Sequence, residues 1–180
     1  MYRIGLCGAH GTGKTTLGKI LAENFQIPFL TNTMRSMWQE LTIGDFEKLP
    51  PDVRSSFQKH AIIRQIQRED VEGKGGFITD RTVLDNLAYT KLSADMTGID
   101  LDLYEKLVSE RLKNYSHFIY LPVMFDAPQE NLRANIATRS SLAEIIETYL
   151  SDWLSPEKYL VVTNTDMDKR IAEVTEFLKK

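Results

Sequence analysis

Cysteine occurs once in this chain of 180 residues, at Cys7, so no disulfide can form within it. The lone thiol lies in the apolar run YRIGLCG and reads as a buried strand residue. With one cysteine and dispersed histidines, no zinc spacing exists, and sodium- or calcium-binding loops are likewise missing. No apolar run approaches the roughly 18 residues needed to span a membrane. The opening MYRIGLCGAHG already reads as strand and loop rather than as a signal peptide. A cytoplasmic protein with no membrane partner is expected. Basic charge is not in excess either: the net charge is −3 and the isoelectric point is near 5.7. This argues against a protein that coats itself in nucleic-acid phosphates, but a local basic pocket is compatible with it. Internal repeats, low-complexity segments and Pro/Gly/Ser-rich linkers are all missing, which points to one domain over residues 1–180.

What is present is a globular balance, 42% hydrophobic and 26% charged. Five short apolar runs read as strands: Tyr2–Cys7, Pro28–Thr31, Gly76–Thr79, His117–Leu121 and Tyr159–Thr163. Helical spacing fills the stretches between them. KTTLGKILAENF places Leu17, Ile20, Leu21 and Phe25 on one face; VRSSFQKHAIIRQIQRED places Phe57, Ala61 and Ile62, running on to Ile66; KRIAEVTEFLKK places Ile171, Val174 and Leu178. Alternating strands and helices predict an α/β fold of three layers, a five-stranded, mostly parallel sheet with helices on both faces. Ligands of such sheets bind at the carboxyl ends of the strands, so the residues just after each strand carry the functional signal.

After the first strand, GAHGTGKT (Gly8 to Thr15) matches G-x-x-x-x-G-K-[ST] between an apolar strand and an amphipathic helix. Gly8, Gly11 and Gly13 let the loop turn its backbone N–H groups inward, with His10 and Thr12 between them, and the following helix adds its positive end. Lys14 is expected to reach the outer phosphates of ATP, Thr15 to bind Mg²⁺ and Thr16 to support the α-phosphate. His10, at a variable position, reads as a spacer that shapes the loop in preference to a catalytic base.

After the third strand, TDRTVLDNLAY ends an apolar run on Asp80 and Arg81 and passes into a helix from Val83 to Leu92. A carboxylate there is placed to organise Mg²⁺ or take a proton from the acceptor, and the adjacent guanidinium to grip an anion. Together with the phosphate loop, this stretch resembles the thymidylate-kinase branch of the P-loop nucleoside and nucleotide kinases. It looks closer still to the small ATPase/kinase family related to the nicotinamide riboside kinase domain, much of it from bacteriophages and including kinases of 5-hydroxymethyluracil in DNA. The resemblance implies that Asp80 contacts the metal shell or acts as base, and that Arg81 holds the acceptor or its phosphate. Riboside-kinase-like relatives place a Glu three residues before the arginine found here at Arg35; in this chain that position is Asn32. An amide cannot take a proton, so either Asp80 alone is the base or the acceptor is already an ionised phosphate.

Arg35 is then a candidate clamp on an acceptor phosphate, and Trp38 on the same helix a candidate base-stacking residue, with core packing its alternative. Arg64 and Gln65 on the long helix could face the acceptor, but periodicity leaves their orientation open. Arg133 and Arg139 fall where such kinases carry a mobile lid, here a short one over residues 126–141, and would neutralise charge on the transferring phosphoryl group. After the fifth strand, Asn164 is a candidate contact to the adenine, and Asp166 is equally a helix cap. His60 and His117 read as structural.

A switch GTPase needs D-x-x-G and N-K-x-D where this chain has DRTV and TNTD, and a motor ATPase needs far more chain. The remaining expectation is an ATP-dependent phosphotransferase using Mg²⁺. Its preferred acceptor is a small molecule, a deoxynucleoside monophosphate, with a nucleoside or a hydroxymethylated base in DNA as alternatives. A protein that binds or hydrolyses ATP without an acceptor is a further class, and a homodimer is left open.

Overall fold

A computed structural model describes residues 1–31, 33–41, 48–93, 98–124 and 136–179, the side chains of 98–100 and 136–137 excepted. Asn32, Arg133 and the lid up to residue 135 lie outside the described residues.

Five strands form one sheet, β1 (Arg3–Cys7), β2 (Phe29–Leu30), β3 (Phe77–Asp80), β4 (His117–Tyr120) and β5 (Tyr159–Val161), in the spatial order β2-β3-β1-β4-β5. Every pairing is parallel, with Leu6 opposite Asp80 on one side of β1 and opposite Ile119 on the other. Each strand expected from the sequence is present, trimmed by one or two residues at its ends, except that β3 starts one residue later and extends one residue further, to Asp80. The described helices are α1 (Lys14–Phe25), α2 (Thr33–Glu40), α3 (Pro51–Val71), α4 (Val83–Ser93), α5 (Gly98–Leu112), α6 (Ile136–Trp153) and α7 (Met167–Phe177). Helix α3 starts two residues before the apolar stretch, because Pro51 at its first position needs no hydrogen-bonded N–H there.

Strand alternation divides the core. Ile4, Leu6, Ile78 and Ile119 pack against Leu17 and Leu21 of α1 and Val174 and Leu178 of α7. Cys7, Phe77, Phe118 and Tyr120 face the opposite layer, where α4, α5 and α6 supply Leu87, Val108, Leu112, Leu142 and Ile146. Both faces of the sheet are thereby covered, as a parallel sheet requires. Cys7 is fully buried and free, as expected. The buried stripe of α1 is Leu17, Gly18, Leu21 and Ala22, leaving Ile20 and Phe25 at its half-buried margin. Among the described residues no helix is long and apolar enough to cross a membrane.

A buried polar network crosses the α3 side of the sheet. Glu69, fully buried, accepts from Arg111 Nε and Nη2 at 3.1 and 2.9 Å, from Gln65 Nε2 at 2.7 Å and from Tyr115 Oη. Arg111 also reaches Asp70 at 2.8 Å. Gln65 passes the connection on, donating to Thr79 Oγ1 at 2.9 Å and accepting from Thr33 Oγ1 at the start of α2. Gln65 therefore faces inward, whereas Arg64 turns outward and pairs with Glu40 of α2 at 2.6 Å. Burial pushes the Glu69 carboxyl up, and Tyr115, Gln65 and Arg111 oppose the shift. Removing the cation would strand a carboxylate in the interior. Arg111→Met is therefore expected to cost roughly 3–5 kcal/mol in urea unfolding, and a loss below about 1 kcal/mol would show that Glu69 does not depend on its partner.

Candidate functional site

The loop after β1 is shaped by glycines in conformations that other residues rarely adopt: φ is 131° at Gly8, 74° at Gly11 and 91° at Gly13. At Gly8 a Cβ would also stand 2.4 Å from the carbonyl oxygen of Leu121, the residue after β4, so the backbone there enforces a glycine. Helix α1 begins at Lys14 with no side chain capping its first turn. Its leading N–H groups are of the kind that bind anions.

Asp85 sets the entrance of the loop. Its carboxylate is fully buried and accepts from Gly8 N–H at 3.1 Å, Thr82 N–H at 2.8 Å and Thr82 Oγ1 at 3.0 Å. Thr82 in turn accepts from Leu84 N–H at 3.2 Å. This reciprocal cap starts α4 and at the same time fixes the first glycine of the phosphate loop. Arg81 lies 3.5 Å from Asp85 and 3.4 Å from the Gly8 carbonyl oxygen. Its backbone is left-handed at φ 79°, a conformation that costs a non-glycine residue about 1–2 kcal/mol. Three groups hold it there: Arg81 N–H donates to Leu6 O at 2.9 Å, and the Arg81 carbonyl accepts from Thr79 Oγ1 and Gln65 Nε2 at 2.9 and 3.4 Å.

At the other end of the loop the Thr15 hydroxyl donates to Asp80 Oδ2 at 2.5 Å. Hydroxyl and carboxylate oxygens meeting beside a phosphate-binding loop suit Mg²⁺, which keeps waters and substrate oxygens as its remaining ligands. Lys14 is buried; its Nζ donates to the Ala9 carbonyl and to Thr12 Oγ1, the latter at 3.1 Å. Burial first, and then the charge of Arg81, pull its ammonium down to about 7. Arg139, 2% exposed on α6, has its Nε and Nη2 buried with no hydrogen-bond partner among the described residues. Together with Arg81, Lys14 and Arg35 it lies within electrostatic reach of His10. Cations converge on this loop in a chain whose net charge is −3.

The family described as AAA domain matches residues 3–170. The chain belongs to the AAA domain family. No curated protein sequence matches it. Solved structures match across its length at low identity. The NadR protein in complex with NR aligns with a TM-score of 0.75 at 18% identity, covering 98% of this chain and 50% of NadR, so this chain spans half of that protein. Deoxyadenosine kinase from M. mycoides with bound dATP aligns at 0.70 and 16% identity, covering 100% of both chains. Thymidylate kinase from Ehrlichia chaffeensis aligns at 0.69 and 15% identity, covering 99% of this chain and 98% of that one. The resemblance to the P-loop nucleotide kinases thus holds for the fold of this AAA domain.

Among the residues singled out in the sequence, Gly8, His10, Gly11, Thr12, Gly13, Lys14, Thr15, Asp80 and Arg81 come together at the carboxyl end of β1 and β3. Thr16 is exposed on the first turn of α1, and Arg35 is exposed on α2. Trp38 is half-buried and meets Phe57 edge-on at 6.2 Å, within a cluster with Met37 and Ala61, so packing between α2 and α3 is its observed role. The Asn164 side chain donates to Glu173 Oε2 of α7 at 2.8 Å, and its carbonyl oxygen accepts from Arg170 Nε. Asp166 caps α7 through Lys169 N–H at 3.0 Å. His60 bonds its own helix at Ser56 O, and His117 bonds Ser116 Oγ, in keeping with structural roles.

Sequence reasoning missed Asp85 and Arg170. The signal for Asp85 was present, since T-V-L-D before an apolar helix is a capping box. Arg170 carried none: it is 2% exposed on α7 and reaches across to donate to Thr12 O at 3.0 Å and to Asn164 O. From the neighbouring helix of the same layer it buttresses the phosphate loop, 158 residues away in sequence.

Asp85→Asn places an amide N–H where a carboxylate oxygen accepts from a buried donor. It is expected to cost about 2–3 kcal/mol in urea unfolding and to weaken ATP binding by calorimetry; unchanged affinity would show that the loop keeps its shape without this residue. Lys14 gives a pH signature. An amine with its pKa lowered to about 7 is partly neutral above that value, and a polyphosphate favours its charged form. Binding of Mg·ATP at about pH 8 is therefore expected to take up close to one proton, falling away toward about pH 6. Calorimetry in buffers of different ionisation enthalpy measures the uptake; Lys14→Met should abolish it, and its persistence there would place the proton elsewhere.

Proposed function

We propose that this single AAA domain is an ATP-dependent phosphotransferase whose acceptor is a deoxynucleoside monophosphate. The observation that carries the reading is the buried Arg139, with N–H groups that have no partner among the described residues and a charge that reaches His10 of the phosphate loop, as those of Lys14 and Arg81 do. A fixed cradle that only stores nucleotide needs no such reserve of donors, whereas a phosphoryl group in flight spreads charge over its equatorial oxygens. The glycine-rich loop, the α1 amides and Lys14 hold the donor phosphates, and Arg139, with Arg133 as a second candidate from the sequence, neutralises charge on the transferring group. Thr15 and Asp80 hold Mg²⁺, which when bound neutralises charge on the phosphates. Arg81 and Arg35 orient the acceptor, and Trp38 borders its pocket.

In the transfer, an oxygen of the acceptor phosphate attacks the γ-phosphorus in line. The bond from that phosphorus to the β,γ-bridging oxygen breaks, and the electron pair leaves with ADP. An ionised phosphate has no proton to lose. Asp80 supports this choice of acceptor, because its Oδ2 is engaged by Thr15 on the metal side of the loop. A neutral nucleoside hydroxyl would instead need Asp80 to take its proton.

The protein incubated with Mg²⁺ and γ-labelled ATP should transfer label to deoxynucleoside monophosphates, in preference to deoxynucleosides or to DNA with and without 5-hydroxymethyluracil. Label confined to polymer would assign the acceptor to DNA, and hydrolysis without transfer would leave an ATPase. Lys14→Ala should lower transfer by at least about 100-fold with the fold retained by circular dichroism, and surviving activity would exclude the loop as the site.

A further inference from the structure

His10 occupies a variable position of the phosphate loop, yet its surroundings are specific. Its Nδ1 lies 3.2 Å from the hydroxyl of Tyr89, a residue of α4. Its Nε2 is buried and has no hydrogen-bond partner among the described residues. A spacer needs neither feature. A buried ring nitrogen without a partner costs free energy unless something in the working protein satisfies it.

The tautomer follows from Arg81. Its guanidinium lies 5.0 Å from the centroid of the Tyr89 ring and is hydrogen-bonded to the phenol oxygen. A cation beside the phenol draws the oxygen lone pairs toward itself and turns the O–H away, toward His10 Nδ1. Nδ1 then accepts, so the ring proton is on Nε2, and the unpartnered atom is a donor. Donation along this chain from a charged group strengthens the terminal N–H. A second set of donors without a partner among the described residues lies on the buried Arg139, whose charge reaches His10.

We propose that His10 is a neutral hydrogen-bond donor to the outer phosphate oxygens of the bound nucleotide, its tautomer and orientation fixed by Tyr89. The inference rests on the kinase reading of the loop. The alternative role, a general base, is disfavoured by the charges facing the ring. Burial, followed by Arg81, Arg139, Lys14 and Arg35, holds the imidazole down to about 4, too weakly basic to take a proton from a hydroxyl. A neutral donor adds a hydrogen bond to the phosphates without adding a further cation to a crowded set.

Heteronuclear NMR of the imidazole nitrogens should show His10 protonated on Nε2 in the free protein, with that nitrogen shifting when Mg·ATPγS binds. His10→Ala should lower kcat for phosphoryl transfer by about 100-fold. His10→Gln, which offers an amide donor at similar reach, should recover about tenfold of that loss, and the rate should show no break that follows imidazole titration. Tyr89→Phe should release the tautomer, detected as Nδ1 protonation, and lower kcat by a smaller factor. A proton on Nδ1 in the parent protein, or a His10→Ala rate within about twofold of it, would overturn the proposal. If no acceptor is phosphorylated, the kinase reading fails separately and His10 is judged by binding. Weakening of Mg·ATPγS by about tenfold in His10→Ala then supports the donor, and equal affinity overturns it.

Discussion

The fully buried carboxylate of Asp85 is the contact on which the site depends. One oxygen takes the N–H of Gly8, where β1 becomes the phosphate loop, and the other starts helix α4 through Thr82. Arg81 stands beside it, so the residue that shapes the phosphate loop also steadies a neighbouring cation. Burial pushes this carboxyl up, and the nearby charges of Arg81 and Lys14 oppose that shift. The carboxylate therefore depends on the same cations that it helps to position.

Local charge here runs opposite to global charge. The chain carries a net −3, yet around His10 the facing groups are arginines and a lysine. Bringing cations together in a half-buried space is unfavourable in isolation, and at Lys14 burial, followed by the charge of Arg81, lowers the ammonium. That stored repulsion is relieved by an anion, so the folded protein holds free energy that a polyphosphate can recover on binding.

A second buried network ties the two sides of the site to the fold. Gln65 links Thr33, at the start of the helix bearing Arg35, to Thr79 and the left-handed Arg81, and Glu69 and Arg111 anchor Gln65 from behind. Strain at Arg81 persists because several hydrogen bonds over-determine it, the situation in which unusual backbone conformations survive at functional positions.

The amino-acid sequence by itself determined the element order, the phosphate loop and the strand-end pair Asp80–Arg81. All three are local: spacing of apolar residues, glycines at fixed intervals, and polar residues at the end of an apolar run. The faces of α3 were decided only by the tertiary structure, which turned Gln65 inward and Arg64 toward Glu40. The same holds for Asn164, whose side chain is engaged by Glu173, and for Arg170, which crosses from the last helix to the first loop. These depend on which layer meets which, and a parallel sheet with the order β2-β3-β1-β4-β5 brings together residues that no local pattern connects. His10 shows the division most sharply. Sequence placed it in the loop as a spacer, but only packing set Tyr89 against one nitrogen and left the other buried with no partner among the described residues, because hydrogen-bond satisfaction is a property of the folded neighbourhood.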